Sequence, residues 1–168
     1  LVQHGPILRV VFGPRDPSYI SPILSAIQSD LCESGIDGVL STHIQRDALE
    51  KFSYVSPIGA AGVYLHAVAG DFQKEGPARE LFKSMIREIS ALAAAMGYPF
   101  EKDYVKINLE ILSNLSADAT TSMQRDIMEG KPSELDGLVM EPLRLAKKYS
   151  VSMPCYEEVA NALCPLEF

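Results

Sequence analysis

The sequence predicts a mainly α-helical bundle preceded by a short strand–helix–strand piece of a parallel α/β domain. Apolar residues recur at helical spacing through almost all of the chain beyond residue 43. Short β-branched runs bounded by turn residues fall within the first 42 residues. One strand–helix–strand is too little for an independent parallel sheet, which needs more βα units. The expected organisation is therefore residues 1–42 as the tail of an α/β domain and residues 43–168 as a helical domain of about six helices.

Ile7 to Phe12 reads as a strand that Gly13-Pro14 stops. Asp16-Pro17 offers a helix cap and a first helical residue. Ile20, Ile23, Leu24, Ile27 and Leu31 follow on one face, and Gly35 ends the helix. Gly38 to Ser41 reads as a second strand. From Ile44 the apolar face runs through Ala48, Leu49, Phe52 and Val55, with Pro57 expected to kink or interrupt the helix. Gly59-Ala-Ala-Gly62 is small enough for another helix to approach closely; without a preceding strand and further glycines it is a poor phosphate loop. The clearest amphipathic helix is Ala78 to Met96, ended by Gly97 and Pro99. Helical stretches follow at about residues 101–115 and 117–128, then Glu134 to Tyr149 bending at Pro142, then Pro154 to Leu163.

A chain of 168 residues, nearly half of them apolar, can bury one sizeable core. The formal net charge of −7 argues against a nucleic-acid surface and against anionic membranes. No apolar run approaches the roughly 18 residues of a membrane span, and no signal peptide is evident. Cys32, Cys155 and Cys164 lack metal spacing and read as free thiols of a reducing compartment. His4, His43 and His66 pair neither with each other nor with carboxylates at ligand spacing, and His66 reads as a packed or partly exposed helix residue. Asp118 and Asp126, eight apart, could share a helix face but have no further ligands, so no metal site is expected. The chain begins at Leu1 rather than Met, as a fragment would.

The stretch from Thr121 to Gly137 has the form of a helix end, a turn and a new helix start. Gly130 suits the left-handed closing residue, Pro132 a first turn, and Ser133 with Asp136 a capping box. Glu134 would then lie in a first turn, where free N–H groups favour a carboxylate. By spacing alone this is also consistent with a capped turn bearing solvated charges.

The run T-S-M-x-x-D-I-x-x-G-x-P-S-E-x-D, followed by a long helix and Lys147-Lys-Tyr-Ser-Val-Ser-Met-Pro154, resembles the C-terminal domain of ketopantoate reductases (2-dehydropantoate 2-reductases). The resemblance spans about Gly5 to Leu163. It implies the end of an N-terminal Rossmann, NADP-binding domain, then the complete helical substrate domain of the 6-phosphogluconate dehydrogenase C-terminal type. It also implies a cytoplasmic NADPH-dependent enzyme that reduces a small 2-oxo acid, with a homodimer possible. The Gly-x-Gly-x-x-Gly loop that holds NADPH in this family is not in this sequence, so the chain alone is expected to be inactive and to bind NADPH weakly.

The resemblance also gives residues roles. Lys51, within Ile44-Gln-Arg-Asp-Ala-Leu-Glu-Lys-Phe-Ser53, matches the family's general acid; as a lone lysine it would otherwise read as a solvated surface residue. Hydride reduction of a ketone builds negative charge on oxygen, which a nearby ammonium stabilises and can protonate. Ser122 matches a serine that contacts the substrate carboxylate, and Glu134 a glutamate at the cofactor and substrate end of the cleft. Val55 and Gly59, four and eight residues after Lys51, stand where the family has substrate-binding asparagines, and Ala69 falls near a third. These departures leave two alternatives open: a reductase of a different 2-oxo acid, or a non-catalytic binding or dimerisation module. Ser53, Tyr54 and Ser56 are nearby polar groups that could compensate.

Overall fold

The computed structural model describes residues 8–16, 18–19 and 21–163. The expectations placed on His4, Gly5, Ile7, Pro17, Ile20 and Cys164 lie outside these residues. The chain divides into two compact units, Leu1–Ala48 and Leu49–Phe168.

In the first unit, β1 (Arg9–Phe12) and β2 (Asp37–Leu40) pair in parallel, with Arg9 opposite Asp37 and Phe12 opposite Leu40. Between them runs α1 (Pro22–Glu33). Its cap is Ser21, whose Oγ accepts from the Ile23 N–H at 3.3 Å, rather than the expected Asp16. Asp16 instead closes its own turn, accepting from the N–H and hydroxyl of Ser18 at 2.9 and 2.7 Å. Val10, Val11, Ile23 and Ile27 remain exposed. A parallel sheet is ordinarily covered on both faces, and this two-stranded piece is not.

The second unit is helical. The helix α2 (Ile44–Leu65) begins before the division and continues through it. It is followed by α3 (Ala69–Gln73), α4 (Pro77–Ala95), α5 (Tyr104–Ser113) and α6 (Ser122–Met128). A π-helical turn, Asp136–Met140, leads into α7 (Glu141–Tyr149), and α8 (Pro154–Leu163) is the last described element. The core centres on α4, whose Phe82, Met85, Ile86, Ile89 and Leu92 are all buried, as its periodicity predicts. Phe72 of α3 and Tyr54 of α2 meet Phe82 edge-on, each with ring centroids 6.0 Å apart.

Two helix-interior prolines are accommodated by the same device. Proline has no N–H, so the carbonyl four residues before it loses its helical partner. Pro57 frees the Ser53 carbonyl, and Nδ2 of buried Asn108 on α5 donates to it at 3.0 Å. Pro142 frees the Leu138 carbonyl, and Oγ of buried Ser56 donates to it at 2.6 Å. That use of the serine proton leaves the Tyr156 hydroxyl to donate to Ser56 Oγ at 2.5 Å. With its carbonyl paired, α2 runs through Pro57 as one helix. At Pro142 the preceding turn widens into the π form instead of simply bending. A third long-range contact caps α8: Glu88 on α4 accepts from the N–H groups of Cys155 and Tyr156 at 2.8 and 3.1 Å.

Candidate functional site

Three of the positions singled out in the sequence form a stripe on α2. Lys51, Val55 and Gly59 follow one another at helical i, i+4 spacing, so they lie near one face over roughly 12 Å of helix at about 1.5 Å per residue. Lys51 is exposed and makes no ion pair or hydrogen bond among the described residues. Val55 is 37 % exposed, an apolar side chain facing outward next to the lysine. Gly59 is buried at the far end of the stripe. A Cβ there would sit 3.1 Å from Met123 Cε and 3.9 Å from both Thr121 Oγ1 and Leu138 Cδ1. Glycine thus lets α2 approach both the start of α6 and the π turn.

Ser122 is the first residue of α6 and is exposed. Its neighbour Thr121 forms the cap: Thr121 Oγ1 accepts from the Gln124 N–H at 3.2 Å, and Gln124 Oε1 accepts from the Thr121 N–H at 2.9 Å. This capping box, Thr-x-x-Gln, was readable in the sequence. The expected Ser133–Asp136 box does not form. Asp136 instead takes two hydrogen bonds from Arg144, at 3.0 and 2.7 Å, and Lys131 to Ser133 run as loop. The helical stretch expected from residue 117 begins only at Ser122, which leaves Asp118 outside it. No group of three or more metal-ligating side chains occurs among the described residues.

Glu134 is exposed one residue before the helical run, and its carbonyl accepts from the Leu138 N–H at 2.9 Å. Gly130 closes α6 in the left-handed conformation at φ 67°, as read from the sequence. Gly59, the start of α6 and the turn following Glu134 are thus brought together. Lys51 makes no hydrogen bond or ion pair with Ser122 or Glu134.

Of the three further polar residues near Lys51, two are committed elsewhere. Ser53 and Ser56 are buried, with Ser53 Oγ donating to the Glu50 carbonyl at 2.7 Å and Ser56 donating to Leu138. Tyr54 differs: its hydroxyl oxygen is buried and has no hydrogen-bond partner among the described residues. Burial holds its ionisation above the usual phenol range, so it stays neutral. Tyr54 lines a cavity of about 190 Å³ together with Ile58, Ala69, Phe72, Leu115 and Thr121. Sequence spacing could name Tyr54 but could not orient it. His66, at the end of α2, is exposed with φ 51°.

Comparison with known proteins places this geometry in a family. Residues 43–167 match the family described as ketopantoate reductase PanE/ApbA C terminal. A 2-dehydropantoate 2-reductase of Nostoc sp. is 24 % identical over 135 residues, which is 80 % of this chain and 42 % of that protein. The crystal structure of 2-dehydropantoate 2-reductase from Geobacter metallireducens shares the fold with a TM-score of 0.82 at 24 % identity, over 92 % of this chain and 52 % of that one. A dimeric ketopantoate reductase from Staphylococcus aureus gives 0.78 at 18 % identity, over 92 % and 52 %. D-Mandelate dehydrogenase, solved with NADH and anilino(oxo)acetate, gives 0.70 at 18 % identity, over 82 % and 57 %. The chain thus spans about half the length of the relatives it matches. On the match that covers 43–167, this chain belongs to the ketopantoate reductase PanE/ApbA family, whose C-terminal part it contains.

Proposed function

We propose that this chain is the substrate-binding and proton-donating part of an NADPH-dependent reductase that converts 2-dehydropantoate to pantoate. The observation that carries the proposal is Lys51: an exposed ammonium with no competing partner among the described residues, at the head of a stripe whose other end packs against the helix that Ser122 begins. In this reading residues 1–42 are the end of a nucleotide-binding domain and 43–168 the substrate domain. The protein works in the cytoplasm, with a second copy of the chain as its partner.

Few residues described here suit a dinucleotide. The first unit supplies one parallel strand pair and no glycine-rich loop after a strand. Glu134, exposed and without an ion pair among the described residues, is the one residue assigned to the cofactor end. NADPH is therefore assigned mainly to an upstream domain, where it would supply the hydride. The work of this chain is acid catalysis and orientation. Ser122 takes the substrate carboxylate through its hydroxyl and lies beside the free N–H groups at the start of α6. Lys51 donates its proton to the carbonyl oxygen as that oxygen gains charge, an effect worth about 10²- to 10⁴-fold in rate.

A second reading rests on Val55. An exposed valine beside the lysine suits a reductase of a more apolar 2-oxo acid. Both readings are tested by NADPH oxidation against 2-dehydropantoate and a panel of bulkier 2-oxo acids, using the protein that carries this chain. Lys51→Ala is expected to cut turnover at least about 100-fold while leaving the melting temperature unchanged. Turnover confined to bulkier acids selects the second reading. Turnover indifferent to Lys51→Ala removes the assigned acid, and silence across the panel favours a non-catalytic module.

A further inference from the structure

The Tyr54 hydroxyl stands out among the polar groups of the helical unit. A buried hydroxyl without a partner is costly, so native structures rarely keep one without a use. The other polar groups around its cavity are already engaged. Thr121 and Gln124 hold each other in the capping box, and Gln124 Nε2 donates to the Ala67 carbonyl at 2.8 Å. Thr120 Oγ1 accepts from Arg125 at 3.3 Å. The remaining walls are apolar: Ile58, Ala69, Phe72 and Leu115. Tyr54 thus lines a largely apolar cavity and carries a buried hydroxyl without a partner among the described residues.

Its size and position match a small ligand. At about 190 Å³ the cavity has room for a compact branched group. Tyr54 follows Lys51 by three residues and Ile58 by seven, so both lie near the lysine's face of α2. Ala69, one of the positions at which the family resemblance implies a lost asparagine, forms part of the wall.

We propose that the Tyr54 hydroxyl is a specificity-determining group: it hydrogen-bonds a hydroxyl on the branched side chain of a 2-oxo acid seated in this cavity. A phenol at Tyr54 then supplies the polar contact that Val55, Gly59 and Ala69 cannot. The inference rests on the reductase reading above and goes further by assigning the recognition of the substrate's side-chain hydroxyl to one residue.

The test uses two substrates that differ by that hydroxyl alone, 2-dehydropantoate and 3,3-dimethyl-2-oxobutanoate, with NADPH and the protein that carries this chain. Tyr54→Phe keeps the ring and its edge contact with Phe82 and removes only the oxygen. KM for 2-dehydropantoate is expected to rise about 3- to 12-fold relative to the deoxy substrate, the size of one neutral hydrogen bond, with kcat little changed. The melting temperature of Tyr54→Phe is expected to equal or exceed that of the wild type. A relative KM change below threefold, or a melting temperature lowered by several degrees, overturns the assignment and makes the hydroxyl structural. Wild-type turnover with the ratio between the two substrates unchanged in Tyr54→Phe defeats this inference alone. Wild-type silence on every 2-oxo acid defeats the reductase reading and this inference together.

Discussion

Gly62 shows how one residue sets the approach of two helices. A Cβ there would lie 2.7 to 2.9 Å from three atoms of the Gln124 side chain. Gln124 cannot retreat easily, because its two ends are tied to Thr121 and to the Ala67 carbonyl. Gly62→Ala is therefore expected to cost about 1–3 kcal/mol by overpacking, despite the better helix propensity of alanine. A urea midpoint lowered with unchanged slope would show it; an unchanged midpoint would mean that Gln124 swings aside. The glycines at 59 and 62 announced a close approach in the sequence, and the structure has one at both. What they met was not legible, because Met123 and Gln124 lie more than 60 residues away in the chain.

At the level of elements, the proline devices tie distant helices together. Ser56 answers the Leu138 carbonyl 82 residues away and takes the Tyr156 hydroxyl 100 residues away. Ser56→Ala leaves both groups buried and unpaired, for an expected loss of about 2–4 kcal/mol. Pro142→Ala restores an N–H that can answer the Leu138 carbonyl, so the two changes should not add. In a double-mutant cycle by denaturant unfolding, Ser56→Ala is expected to cost less in the Pro142→Ala background. Additive losses would sink the link between the freed carbonyl and the serine. The sequence placed a bend at Pro142 but not the π turn, whose Leu138 carbonyl is answered by Ser56 from 82 residues away. It likewise missed α3, only five residues long, whose first N–H groups reach the Ala119 and Ala117 carbonyls at 2.9 and 2.8 Å. By contrast α4 and α8 were legible, since an apolar stripe and the punctuation of Gly97 and Pro154 are local signals.

For the whole molecule, the net charge of −7 has to be set against where the carboxylates stand. Hydrogen bonds from Ser18, Lys83, Ser116 and Arg144 lower the ionisation of Asp16, Glu80, Asp118 and Asp136 respectively. A carboxylate lowered in the folded state adds stability that is present above its unfolded value, near 3.9–4.3, and is lost as pH falls through the folded value. Stability is thus expected to fall as pH drops below about 4, where the chain already lies below its isoelectric point of about 4.9 and further protonation adds net positive charge. The Asp136–Arg144 pair supplies the check: the stability gap between wild type and Asp136→Asn at pH 7 should close below about pH 4. A gap persisting at pH 2 would mean that the pair acts by shape and not by charge.

The strand pair of the first unit has a consequence for handling the protein. Val10 and Val11 point to opposite faces and both are exposed, and β1 and β2 are the only strands among the described residues. Each strand pairs along one side only, which leaves a second hydrogen-bonding edge on each. Left in that state, the ribbon is a template for intermolecular strand addition. Shelf life and working concentration of the isolated chain would then be governed by colloidal behaviour at this strand pair, and not by the unfolding free energy of the helical bundle that makes up most of its mass.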